Sequence, residues 1–85
     1  MIRQKYKLSF ATYQNATQFN SDCSDITFIN NGASSCIINN DFTLAPLASL
    51  SINCQDNEID TTVYQISFTS AGLNNSLQVI KKNFV

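Results

Sequence analysis

The sequence predicts an all-β fold, a small antiparallel β-sandwich of jelly-roll or immunoglobulin-like kind with about seven short strands. Three observations carry this prediction. Apolar and polar residues alternate with a period of two in run after run, as in Tyr6-Lys7-Leu8-Ser9-Phe10 and Tyr64-Gln65-Ile66-Ser67-Phe68. The runs are short and recur at spacings of about 8–12 residues, separated by Asn-, Asp-, Gly- and Pro-containing turns. No stretch holds the 3.6-residue period of an amphipathic helix over any useful length.

The elements follow in order. In the first strand, Tyr6, Leu8 and Phe10 are expected to face the core and Lys5, Lys7 and Ser9 the solvent. The polar stretch from Ala11 to Cys23 has no clear period and reads as a loop across one end of the fold. Asp25–Ile29 and Ser35–Asn39 are β-rich runs on either side of Asn31-Gly32. That dipeptide tolerates positive φ, so the two runs are expected to pair as a hairpin, with Ile26, Phe28 and Ile37 in the core. Asn39, Asn40 and Asp41 make the next turn. Phe42 and Leu44 alternate again until Pro46, which has no amide donor and ends the run or confines it to an edge. Leu50 and Ile52 share an inward face. A polar connection leads to Asp60, Thr61 and Thr62, read as turn or capping residues. Tyr64, Ile66 and Phe68 point inward from the cleanest strand. A turn around Gly72 precedes the last one, in which Leu77 and Val79 share a face.

Length and composition narrow the function. The 85 residues make one domain, 1–85, with 44% hydrophobic residues for a core. Only 13% are charged, against roughly 25% in an average soluble domain. Asn, Ser, Thr and Gln fill the difference. Such a neutral, hydrogen-bonding surface suits regular packing against copies or neighbours, and equally a sugar-binding or adhesive face. The net charge of −1 argues against a dedicated nucleic-acid binder. No apolar run is long enough for a membrane span. The basic start lacks the apolar core of a secretory signal, and Met1 reads as the native start.

Cys23, Cys36 and Cys54 show no Cys-x-x-Cys spacing, and the chain has no His. Zinc and redox motifs are therefore not expected, and no cofactor is implied. The three read as small, half-buried residues of a protein made in a reducing cytosol. The other reading is a secreted domain stapled by one disulfide.

No catalytic constellation emerges, so an enzyme is not expected. Asp56, Glu58 and Asp60, spaced by two, would aim three carboxylates to one side of an extended backbone. They match no known calcium loop and read as a solvated acidic loop. Tyr13 and Phe19 are the aromatics outside the expected core. They serve either as anchors of the polar loop or, with the acidic loop, as a sugar-binding site.

Charge order along the chain is the sharper feature. Arg3, Lys5 and Lys7 lie at the start, Lys81 and Lys82 near the end, and all six acids lie between Asp22 and Asp60. Lysines at the termini are what an edge strand uses to block unwanted pairing. They are also what head-to-tail assembly would use, the basic ends of one copy meeting Asp56, Glu58 and Asp60 of the next.

From Ile26 onward the segments ITFINNG, CIINN, FTLAPLASLSI, NEIDTTVYQISF and GLNNSLQVIKK resemble a group of small all-β proteins encoded in phages and prophages of Bacteroidetes-type hosts. The resemblance covers about two-thirds of the chain, residues 26–82, and is most specific at Asn57–Thr62. It departs where the group's Pro-Gly turn is Pro46-Leu47. It implies a virion component, such as a capsid, vertex, spike or decoration protein. It implies no catalytic residues, and makes Asn57–Thr62 a structural corner. The expected function is thus a non-enzymatic structural subunit of a virus particle. It would be made in the host cytoplasm, located in the virion, and partnered by copies of itself and other virion proteins. The alternative is a carbohydrate- or receptor-binding module.

Overall fold

Eight strands follow one another along the chain: β1 (Tyr6–Tyr13), β2 (Thr17–Asn20), β3 (Asp25–Asn30), β4 (Cys36–Ile38), β5 (Phe42–Leu44), β6 (Ser49–Asn53), β7 (Val63–Phe68) and β8 (Leu77–Phe84). The structure is a computed structural model and describes residues 5–55, 58–70 and 74–84. The expected turn at Gly72 lies outside the described residues, as do Arg3, Asp56 and Asn57.

The strands form two four-stranded antiparallel sheets, ordered β1-β8-β3-β6 and β2-β7-β4-β5. The pairs β1·β8, β2·β7, β3·β6 and β4·β5 are nested, first with last and so inward. That nesting is a long hairpin ribbon wrapped into a sandwich, and it makes the fold a jelly roll. The strand count is eight, one more than expected. The additional strand is β2, inside the stretch read as a loop, where Thr17–Asn20 pairs with Val63–Ile66 of β7. A polar sequence forms a strand there because a neighbour supplies the ladder.

The core between the sheets is built from Ile26, Phe28, Cys36, Ile38, Leu44, Tyr64, Ile66, Leu77 and Val79, with Cys23 at one end. Tyr13, Phe19, Leu50, Ile52 and Phe68 pack against it, half-buried. Phe28 meets Tyr64 edge-on at 5.1 Å. Tyr13 and Phe19 stack at 5.2 Å. Ile37, expected inside, is only half-buried; its neighbours Cys36 and Ile38 face inward.

The largest correction concerns β1. Ala11 pairs with Val79 and Val79 with Phe28, which places this row inward. Phe10 pairs with Ile80 and Ile80 with Thr27, so that row faces outward. Tyr6, Leu8 and Phe10 therefore lie on the outer face, not in the core. Register with β8 decides this. Leu77 and Val79 must be buried, and a strand paired to them has all its side chains assigned at once.

A second correction concerns Asn31-Gly32. The strands on either side of it, β3 and β4, belong to different sheets, so no hairpin forms. Neither residue takes positive φ. The segment is an arch between the sheets, organised by Asn30. This fully buried side chain donates to the carbonyls of Ser34 (3.0 Å) and Leu44 (2.9 Å) and accepts from the Gly32 amide (2.9 Å). Gly32 is needed for close approach: a Cβ there would lie 2.5 Å from the Ser76 nitrogen. Ser34 and Asn75 hydrogen-bond to each other beside it, and Asn75 donates to the Ser70 carbonyl.

The hairpin turn falls instead at Asn39-Asn40, between β4 and β5. Both residues have positive φ (55° and 57°), and the Asp41 amide donates to the Ile38 carbonyl. Two positive φ values at the centre are the mark of a type I′ turn, whose twist matches the strands. Pro46 follows β5, as expected, in a turn closed by the Ala48 amide on the Ala45 carbonyl. Leu47, the residue after Pro46, takes φ 68°.

Candidate functional site

The four edge strands are β1, β6, β2 and β5, and they differ in kind. β5 has three residues and lies between a tight turn and Pro46. β2 has four. β6 has five, and its outer face carries only Ser49, Ser51 and Asn53. β1 has eight. From Leu8 to Tyr13 it carries no charge, no Pro and no Gly. Among the described residues nothing pairs with its outer edge. A long, neutral, unblocked edge is a template for another strand.

The outer face of β1 adds a row of apolar side chains. Tyr6 is 54% exposed, Leu8 48% and Phe10 71%. Half-buried Ile80 continues the row on β8. Lys82 interrupts it: its ammonium lies 4.7 Å from the Tyr6 ring and 3.8 Å from the Asp25 carboxylate. This stripe was missed because its alternation reads equally well as core-facing. The signal that could have found it is the uncharged run Leu8–Tyr13 itself, which has the composition of a strand-pairing segment.

The basic residues separate by face. Lys7 lies opposite Asn83 on the inner side of β1 and is exposed. Lys5, just before the strand, is also exposed. Lys81 lies opposite Ser9, crosses between the sheets, donates to the Asn20 carbonyl at 2.8 Å and sits 4.8 Å from the Phe19 ring centre. β8 is an interior strand, so Lys81 and Lys82 brace the fold instead of guarding an edge.

The acidic set divides likewise. Asp60 is a corner. It bridges to Cys23, its carboxylate accepts from the Thr62 amide (2.9 Å) and the Tyr64 hydroxyl (2.7 Å), and its carbonyl accepts from Ser21. Burial pushes the Asp60 carboxyl up, but the hydrogen bonds from Thr62, Tyr64 and Ser21 outweigh it and hold it below its usual value. Glu58 is exposed and accepts from the Gln55 amide at 2.8 Å.

A groove of about 330 Å³ opens between the inner side of β1 and the segment after β2, and Ser9, Tyr13, Asn20, Asp22, Lys81 and Asn83 are among its lining residues. The stacked rings of Tyr13 and Phe19 are half-buried and pack against the core. All three cysteines are free. Burial pushes the Cys36 thiol up to about 11. Burial, with the negative charge of Asp60 second, does the same to Cys23. Among the described residues no group of His, Cys, Asp and Glu could hold a metal ion, and no helix is long and apolar enough to cross a membrane.

Comparisons with protein-family models, with curated proteins and with solved structures found no match to this chain.

Proposed function

We propose that the chain is a non-enzymatic structural subunit of a virus particle that works by joining its β1 edge to a neighbouring subunit. One observation carries this reading: the longest edge strand is neutral from Leu8 to Tyr13 and carries Tyr6, Leu8 and Phe10 on an open face. Proteins that stay monomeric blunt such edges with charge, Pro or shortness. Strand addition would supply backbone hydrogen bonds, and the apolar stripe would supply burial. The jelly roll and the resemblance to phage-encoded β proteins support the setting. The fold alone does not, since jelly rolls also carry lectins. Partners would be copies of the chain and other virion proteins, and the working location the virion. In this reading Arg3, Lys5 and Lys7 steer the basic end toward an acidic neighbour. Among the described residues Glu58 is the exposed member of the acidic loop, whereas Asp60 and Lys82 already have partners within the chain.

The test is light scattering of the purified chain across concentration and salt, with Leu8→Lys and Phe10→Lys as variants. Assembly that grows with concentration and is lost in both variants supports the reading. A chain that stays monomeric at every concentration, with both variants unchanged, overturns it.

The polar lining of the groove favours a second reading, a carbohydrate-binding module with Ser9, Asn20, Asp22 and Asn83 as hydrogen-bonding groups. Chemical-shift changes at these residues on adding monosaccharides would support it, and an unperturbed spectrum would remove it.

A further inference from the structure

We infer that the occupant of the open β1 edge is β1 of a second copy, paired antiparallel about a two-fold axis at Ser9; this rests on the assembly reading above. A two-fold axis perpendicular to the joined sheet keeps each face on its own side. Residues of even number must then lie opposite residues of even number. With the axis at Ser9, Leu8 of each copy lies opposite Phe10 of the other, and Tyr6 opposite Thr12. The two exposed stripes become one face crossed by aromatic–aliphatic pairs, the kind that stabilise antiparallel sheets. On the inner side, Lys7 lies opposite Ala11.

The neighbouring registers are poorer. An axis at Leu8 would bring the two Lys7 residues two positions apart, about 7 Å along the strands. The Ser9 axis holds them four positions apart, about 13 Å. An axis at Phe10 would leave Tyr6 opposite residue 14, past the end of the strand.

Addition to β6 of another copy is the main alternative. It would set Tyr6, Leu8 and Phe10 against Ser49, Ser51 and Asn53, and the Ser51 hydroxyl is already hydrogen-bonded to Thr27. Head-to-tail addition of that kind does not close, whereas the two-fold pairing stops at two copies per sheet.

The contact is small. It takes seven residues, Tyr6–Thr12, from each copy, fewer than the roughly 20–30 a side of a standard interface. A dissociation constant in the micromolar-to-millimolar range follows. That suits a subunit held by many repeated contacts.

The experiment is thiol cross-linking of Ser9→Cys in a Cys54→Ser background at about 1 mM chain, near the weak end of that range. Cys23 and Cys36 remain, being buried, and the Cys54→Ser protein alone is the control. The expected result is a cross-linked dimer from Ser9→Cys only. Adding Phe10→Lys should cut its yield about tenfold, the equivalent of about 1.4 kcal/mol, with the urea midpoint unchanged because Phe10 is exposed. If Ser9→Cys gives no dimer but a mixture of Phe10→Cys and Ser51→Cys chains cross-links, β1 adds to β6. The two-fold inference then falls while the assembly reading stands. If neither cross-links and light scattering shows a monomer, both fall.

Discussion

The hydroxyl of Tyr64 donates to the carboxylate of Asp60 across 2.7 Å, tying the start of β7 to the bridge that Asp60 makes with Cys23. Two ionisable groups are moved in opposite directions by this contact. Asp60 lies below its ordinary 3.8 because hydrogen bonds outweigh its burial. Tyr64 lies above its ordinary 10.0, through burial first and the Asp60 hydrogen bond and charge next.

The pH dependence follows from the signs. A carboxyl with a lowered folded pKa binds fewer protons in the folded chain than in the unfolded one. Its stabilisation is complete above its unfolded value of 3.8 and disappears as pH falls through the folded value. A tyrosine with a raised pKa contributes fully below 10.0 and loses that contribution as pH rises through its folded value. Urea midpoints measured from acid to alkali should fall at both ends. Asp60→Asn should flatten the acid limb and Tyr64→Phe the alkaline limb. Each should lose about 1–2 kcal/mol at neutral pH.

Asn30 should be among the least replaceable residues. Alanine there would leave the carbonyl of Ser34 and the amide of Gly32 without the partners they have, and would take from the Leu44 carbonyl the bond it accepts beside its ladder with Cys36. Stranded buried groups cost about 1–3 kcal/mol each, against a total stability of about 5–15 kcal/mol for a typical domain. Asn30→Ala should lose about 3 kcal/mol or more by chemical denaturation. A midpoint within error of the parent would refute the role given to this side chain.

Two backbone substitutions should act in opposite directions. Leu47 is 87% exposed and holds φ 68°, a conformation that is unfavourable by about 1–2 kcal/mol for a residue with a Cβ. Leu47→Gly should therefore stabilise the chain, by about 1 kcal/mol after the added freedom of the unfolded glycine. Gly32→Ala should destabilise it by about 1–3 kcal/mol, because the new Cβ meets the backbone of Ser76 and Asn74. Thermal midpoints of the two variants on opposite sides of the parent would bear this out.

Thiol reactivity should separate the cysteines. Cys54 is half-buried, while Cys23 and Cys36 are buried with thiols raised to about 11. Thiolate is the reactive form. A chromogenic disulfide reagent at neutral pH should find one accessible thiol in the folded chain and three after denaturation. More than one fast-reacting thiol before denaturation would contradict the burial of the other two.

Sequence by itself determined the strands whose alternation served a single purpose. Tyr64, Ile66, Leu77 and Val79 face the core as their period of two requires, and so do Ile26 and Phe28. The turn at Asn39-Asn40 and the stop at Pro46 were legible because φ preference and a missing amide are local properties. The tertiary structure decided what local pattern leaves open. Alternation in Tyr6–Phe10 says that two faces differ but not which is buried. The ladder with β8 assigned those faces, and so turned expected core residues into an exposed stripe. Asn31-Gly32 is a good hairpin dipeptide, yet the buried amide of Asn30 and the close approach of Gly32 to Ser76 send the chain to the other sheet. The same distinction applies to the charges. Their separation along the chain is a property of sequence. The partners Asn20, Phe19 and Asp25 that β8 brings to Lys81 and Lys82 exist only after the sheets have formed, because side chains far apart in sequence become neighbours only through strand pairing.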